Sequence, residues 1–362
     1  MKTLSSCVHL SAIPFLFLSA SPTTDAFARS LWNASSAIAT KLKHRLPFVR
    51  PRAKHNNSPF LPPLPTSSAL KDRLHIVILP GFMTSADDYT KAGSLAPNLQ
   101  ARGLSKHHVH VLPVQRPDWA RIFLGGMTDL EFWKGRAAPN RPAYAWYLER
   151  VAQTINEITT QDPSAKIVLL GHSAGGWLAR AALGYSSVPQ DNQKDLQIQK
   201  LESILGLVTL GSPHVQDPLV DMTFGAIRVV NERFPGAYCP DKFYVTLAGH
   251  AVSSTPSHTS LFSPSFSYYR KQIQDKAATH LRELGKLAYV SYHTLVGAHG
   301  SMNKGKVIIG DGIVPASSAH LEGALHLNLP QVVHCSELAL PWYGSDLVVD
   351  QWFQTVLSLA TV

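Results

Sequence analysis

Residues 167–183 constrain this chain more than any other stretch. Ile167-Val168-Leu169-Leu170 is an unbroken apolar run, too short for a helix and too apolar for a half-exposed strand. It predicts a strand buried on both faces. The run passes through Gly171-His172-Ser173-Ala174-Gly175 straight into a small-residue helix expected over Ala174–Leu183. A chain that turns from strand to helix within one residue holds Ser173 in a strained backbone conformation and points its hydroxyl outward. Side chains at 171 and 175 would collide in so tight a turn, which accounts for Gly171 and Gly175. The N-terminus of the helix also favours negative charge that develops beside it.

The same alternation runs through the rest of the chain. Leu74–Leu79 is a buried strand ending at Pro80-Gly81, and Val109–Val114 is a second one. Ile204–Leu210 ends at Gly211-Ser212-Pro213-His214, Phe243–Ala248 follows, and a last short strand is expected over 325–333. Tyr147, Val151, Ile155 and Ile158 recur at helical spacing, so a helix is expected over Ala145–Thr159, stopped by Asp162-Pro163. A closing helix is expected over 346–359. Strands alternating with helices imply an α/β fold with a mostly parallel central sheet covered by helices on both faces. Residues 249–306 break the rhythm and read as an insertion. With 45% hydrophobic positions the chain can fill one large core, and a single domain is expected over 70–362.

Charge narrows the function classes. The formal net charge is +9, but residues 1–71 hold nine Lys/Arg against one acid, Asp25, a net of +8. The remaining residues, 72–362, therefore carry only +1, so no basic face for nucleic acid is expected on the domain. Residues 1–28 read as a signal peptide: Lys2, an apolar stretch from Val8 to Ala20, then Ala26-Phe27-Ala28 as a small-residue cleavage site. Residues 29–69 are basic, serine-containing and free of acid, which is the composition of a transit segment or a disordered basic linker. The chain is thus expected to enter the secretory route, bound either for a plastid or for secretion or the ER lumen. Pro59–Pro65 forms a stiff spacer ahead of the domain. Cys7 lies in the leader; Cys239 and Cys335 have no metal-ligand spacing and do not require a disulfide. Neither a metal nor an organic cofactor is expected.

Gly171-x-Ser173-x-Gly175 between a strand and a helix is the nucleophile-elbow pattern. A serine hydroxyl is a poor nucleophile unless a base takes its proton and an acid orients that base. The acid is expected at Asp311, in Gly310-Asp311-Gly312, where the glycines let a carboxylate approach another loop; Asp217 and Asp221 are held in reserve. The base is expected at His334, at the end of the last strand, ahead of His320 and His326. Two backbone N–H donors must face the oxyanion. They are expected at Ala174, which follows the serine, and at Phe82 in the turn after the first strand, with Met83 in reserve.

Four blocks, in this order, resemble the lipase-like α/β-hydrolases: Leu79-Pro80-Gly81-Phe82, Gly171-His172-Ser173-Ala174-Gly175-Gly176, Thr209-Leu210-Gly211-Ser212-Pro213-His214 and Gly310-Asp311-Gly312-Ile313-Val314-Pro315. Val114-Gln115-Arg116-Pro117-Asp118-Trp119, Trp146-Tyr147-Leu148-Glu149-Arg150-Val151 and Ala319-His320-Leu321-Glu322-Gly323-Ala324 are similar to a plant and algal group of triacylglycerol-lipase-like members. The chain departs from many lipases in carrying Pro80 where they have histidine before the glycine.

The resemblance implies an α/β-hydrolase fold and a serine hydrolase that cleaves carboxylic esters through an acyl-enzyme. An acyl ester or lipid is the expected substrate, with transient membrane-surface contact. In the insertion, Phe262, Phe266, Tyr268, Tyr269, Tyr289 and Tyr292 would give a lid or cap an aromatic face. The alternatives are a thioesterase or acyltransferase with the same triad, and a non-catalytic binding protein on the same fold.

Overall fold

The computed structural model describes residues 72–188, 194–216, 221–254, 288, 292, 308–336 and 340–361. All of them belong to one compact unit, Pro59–Ser336 with Leu340–Val362. The leader, and the insertion aromatics Phe262, Phe266, Tyr268, Tyr269 and Tyr289, lie outside the described residues, as does Asp217.

Strands β1 (Leu74–Leu79), β2 (Val109–Val111), β3 (Lys166–His172), β4 (Ile204–Leu210), β5 (Phe243–His250) and β8 (Leu325–Pro330) form one sheet in the order β2-β1-β3-β4-β5-β8. Every pairing in it is parallel. All six residues of β1 are buried, as a strand covered on both faces requires. On one face Val77, Leu79, Ile167, Leu169 and Leu207 share a core with helices α1 (Ala145–Gln161), α2 (Ala174–Ser187) and α3 (Ala226–Arg233). Ile76, Ile78, Val168, Leu170 and Val208 alternate with them and are buried from the other side. There α4 (Asp346–Ala360) packs with the short helix Leu95–Gln100.

The register gathers the strand ends that matter. Leu79 pairs with Gly171, His172 with Leu210, Leu210 with Leu247, and Gly249 with Leu329. The carboxyl ends of five strands therefore open on one edge, where ligands bind in folds of this kind.

Two strands are shorter than expected, and the second of the chain ends at Val111 instead of Val114. The last strand stops at Pro330, short of residue 333, because Gln331 takes a left-handed backbone, φ 62°, and turns the chain out of the sheet. Residues read as the start of the insertion form a strand: β6 (Val252–Ser254) pairs antiparallel with β7 (Ile308–Gly310) as a separate two-stranded sheet. Short antiparallel pairs of this kind give no periodic signal in the sequence.

Candidate active site

Ser173 stands between β3 and α2 with φ 52° and ψ −124°, a region that costs a non-glycine residue energy. Its neighbours show why the bend is confined to small residues. A Cβ on Gly171 would lie 2.4 Å from the Gly176 Cα, and one on Gly175 would lie 2.2 Å from the Leu79 carbonyl oxygen. Gly176 is just as tight, since a Cβ there would meet the Ser212 hydroxyl. The Thr209–His214 block is thus explained in part by contact with the elbow.

Asp311 and His334 are brought together. The His334 Nδ1 lies 2.8 Å from Asp311 Oδ2, and its backbone N–H donates to the Asp311 carbonyl at 2.9 Å. Asp311 is fully buried, yet both its oxygens are satisfied. Oδ1 accepts the backbone N–H groups of Ile313 at 3.0 Å and Val314 at 2.7 Å. Oδ2 also accepts the Tyr343 hydroxyl at 2.8 Å, and Tyr343 in turn accepts the Gly249 N–H at 2.7 Å. Burial, and then the Asp311 charge, push the Tyr343 phenol well above its usual range, so it remains a donor. Gly211 has φ 55°, and a Cβ there would lie 2.5 Å from Asp311 Oδ2, so a left-handed residue without a side chain is needed beside the carboxylate.

Asp311 follows directly on β7, in the two-stranded sheet and not in the main one. Tyr292, expected on an aromatic lid face, is fully buried instead. Its hydroxyl accepts the Gly312 N–H at 2.7 Å and donates to the Val252 carbonyl at 3.2 Å, which ties the acid's loop to β6.

The competing residues are occupied elsewhere. The Asp221 carboxylate accepts the N–H groups of Thr223 and Gly225, at 2.7 and 2.9 Å, and shapes the turn into α3. His320 bonds Thr246 and Asn328, and His326 bonds the Leu321 carbonyl. Cys239 is a buried free thiol.

The turn after β1 abuts the serine. A Cβ on Gly81 would lie 2.8 Å from the Ser173 Cβ. Thr84 N–H closes the turn onto the Gly81 carbonyl at 3.1 Å, with Phe82 and Met83 at its centre and Met83 at φ 59°. Tyr147 donates to the Pro80 carbonyl at 2.8 Å and Trp119 to the Thr84 carbonyl at 2.9 Å. The segments carrying those residues interlock, because Arg150 forks onto Asp118 and Arg116 forks onto Asp88. Ala174 is the first residue of α2, beside Ser173.

Sequence reasoning passed over His172, Tyr89 and Tyr343. His172 is buried, and burial and then the neighbouring His334 hold it down to about 3. His214 is likewise held well below its usual value by burial and then by Arg180. Both are neutral in the folded state, whereas an unfolded chain protonates them near 6.5. The unfolded state therefore binds more protons below that value, and stability falls as pH drops from about 6.5 toward 3. For His172 the slope is about 1.4 kcal/mol per pH unit within that window. Urea unfolding at pH 7.5 and pH 5 is expected to give a clearly lower midpoint at the acid value; equal midpoints would contradict this account.

An exposed apolar rim adjoins the turn. The Phe82 ring meets Trp119 edge-on at 5.3 Å. Just beyond Trp119, Phe123, Leu124, Met127 and Leu130 face solvent, the last at 75% exposure. So does Met222, close to Phe224, which packs on Phe123 and Phe132. Single exposed apolar side chains are ordinary, but four within the eight residues Phe123–Leu130 exceed that.

Residues 76–358 match the Alpha/beta hydrolase family. Among solved structures, the chain is similar to a lipase of Bacillus licheniformis in its mature form, with 15% identity and a TM-score of 0.43 over 83% of this chain and 96% of that one. It is similar to a metagenomic carboxyl esterase, with 16% identity and a TM-score of 0.39 over 86% of this chain and 77% of that one. A phospholipase of Legionella pneumophila is similar at 9% identity and a TM-score of 0.40, over 80% of this chain and 60% of that one. No curated protein matches in sequence. With a match running from β1 into α4, over well more than half its length, the chain belongs to the alpha/beta hydrolase family.

Proposed function

We propose that this protein is a serine hydrolase of carboxylic esters, acting on acyl lipids. The observation that carries the reading is the Asp311–His334 pair, its buried carboxylate fixed by three further donors, with the His334 carbonyl bonded to His172, the residue before the serine of a strained elbow. His334 takes the Ser173 proton as the hydroxyl attacks the ester carbonyl. Asp311 fixes the imidazole with its proton on Nδ1 and offsets the charge of the imidazolium. The N–H groups of Phe82 and Ala174 receive the oxyanion. His334 then protonates the leaving alcohol, and water attacks the acyl-Ser173 ester with His334 again as base.

The exposed rim of Phe82, Phe123, Leu124, Met127 and Leu130 favours a long acyl chain over a small polar ester. The leader reading belongs with this proposal: residues 1–28 as a signal peptide, residues 29–69 as a basic segment after it, and a plant or algal relationship for the chain.

The test is labelling of the full chain with a fluorophosphonate, with the modified peptide mapped by mass spectrometry, beside turnover of an acyl-ester chain-length series. Adduct on Ser173 and rising kcat/KM with chain length are expected. Folded protein that neither labels nor turns over any ester would remove the hydrolase reading. Labelling with a preference for acetyl esters would remove the acyl-lipid part. A thioesterase or acyltransferase would label too and is recognised by its products.

A further inference from the structure

Between the turn after β1 and the loop of His334 runs a line of buried hydrogen bonds that passes beside Ser173. The Gly81 N–H donates to the Tyr89 oxygen at 3.0 Å, and Tyr89 lies 2.7 Å from His172 Nδ1. His172 Nε2 lies 2.9 Å from the His334 carbonyl oxygen. The partners fix the direction of every bond. A carbonyl only accepts, so His172 carries its proton on Nε2. The neutral ring then leaves Nδ1 bare, so the Tyr89 hydroxyl donates to it while its oxygen accepts from Gly81. Thr84 closes the same turn, its hydroxyl donating to the Gly81 carbonyl at 2.6 Å.

We infer that His172 and Tyr89 are positioning residues that set the spacing between the oxyanion turn at Phe82 and the base at His334. The inference rests on the triad reading proposed above. Gly81 immediately precedes Phe82, and His172 immediately precedes Ser173. The side chains of His172 and Tyr89 therefore join the segment of Ser173 to both the turn at Phe82 and the loop of His334. Each link is buried, so each is stiff, and breaking one strands a polar group away from water. The line also suits a site whose base gains charge during turnover. The rings of His172 and His334 have centroids 4.9 Å apart, and a second imidazolium there would oppose protonation of His334. Burial keeps His172 neutral and spares the base that repulsion.

The roles separate by substitution. Tyr89→Phe keeps the ring and removes the hydroxyl that joins Gly81 to His172. His172→Phe keeps the shape and removes both links. His172→Gln restores an N–H donor near the position of Nε2. On a water-soluble short-chain ester, Tyr89→Phe is expected to lower kcat by about tenfold and His172→Phe by about a hundredfold, with KM changed by less than about twofold. His172→Gln is expected to regain most of what His172→Phe loses. The rate of fluorophosphonate labelling should follow kcat. If the folded Tyr89→Phe and His172→Phe proteins turn over at the wild-type kcat, or differ only in KM or melting temperature, the inference is overturned; should His172→Phe not fold, Tyr89→Phe decides alone. Ser173→Ala, run in parallel, keeps the two readings apart. Turnover that survives Ser173→Ala breaks the triad reading, whereas a dead Ser173→Ala beside an unaffected Tyr89→Phe breaks only this one.

Discussion

Asparagine at position 311 is expected to lower kcat for ester hydrolysis by about 10⁴-fold, against about 10⁶-fold for alanine at 173, with the fold intact. The argument follows from what surrounds the carboxylate. Oδ1 accepts two backbone N–H groups, from Ile313 and Val314, which cannot rotate away. The asparagine must therefore place its carbonyl oxygen there and its amide nitrogen where Oδ2 was. That nitrogen then faces His334 Nδ1 with a donor. His334 must present a bare Nδ1 to it and carry its proton on Nε2, the nitrogen that has to accept from Ser173. The base survives in the wrong tautomer. The Tyr343 hydroxyl, which donated to Oδ2, also loses its acceptor. Measuring kcat and unfolding midpoint together checks the claim. A tenfold loss or less, in a protein of wild-type stability, would mean that Asp311 does not hold the base.

Much of this could be read from the chain because its signals are local. The buried runs at Leu74–Leu79, Ile167–Leu170 and Ile204–Leu210 need only burial on both faces to become parallel strands, and they do. The elbow announces itself because its steric demands fall on residues within two positions of Ser173. The pairing of Asp311 with His334 was legible through chain order and flanking glycines. Their supports were not. Tyr343, Tyr89 and Tyr292 reach the site from 32, 83 and 20 residues away from Asp311, His172 and Gly312, respectively, and a tyrosine at such a distance carries no periodic or motif signal. The position of the acid on a two-stranded neck was hidden for the same reason, since the pairing of Val252–Ser254 with Ile308–Gly310 is long-range. His172 could have been suspected. A histidine beside the nucleophile, at the end of a strand buried on both faces, needs two polar partners or costs energy.

Gly175→Ala is expected to destabilise the fold by roughly 3 kcal/mol or more, although alanine is the better helix former by about 1 kcal/mol. Gly175 lies in the first turn of α2 with an ordinary helical backbone, so no strain of its own forbids a methyl group. The obstacle is space: the added Cβ would sit 2.2 Å from the Leu79 carbonyl oxygen and 2.8 Å from that of Pro80. Leu79 cannot yield, because β1 is paired on both sides, to β2 and to β3. Either α2 lifts from the sheet, which moves Ser173, or the end of β1 shifts, which moves Gly81 and Phe82. Both routes separate the serine from the turn proposed to supply an oxyanion donor, so kcat should fall even at temperatures where the variant is folded. Gly93→Ala supplies the contrast. Gly93 has φ 75°, and nothing lies within 4 Å of a Cβ there. It pays only the backbone cost of a left-handed alanine, about 1 kcal/mol, and should leave kcat unchanged. Denaturant unfolding and kcat of the two variants side by side test the argument. Equal losses at 93 and 175 would show that backbone preference, and not the contact between α2 and β1, sets the elbow.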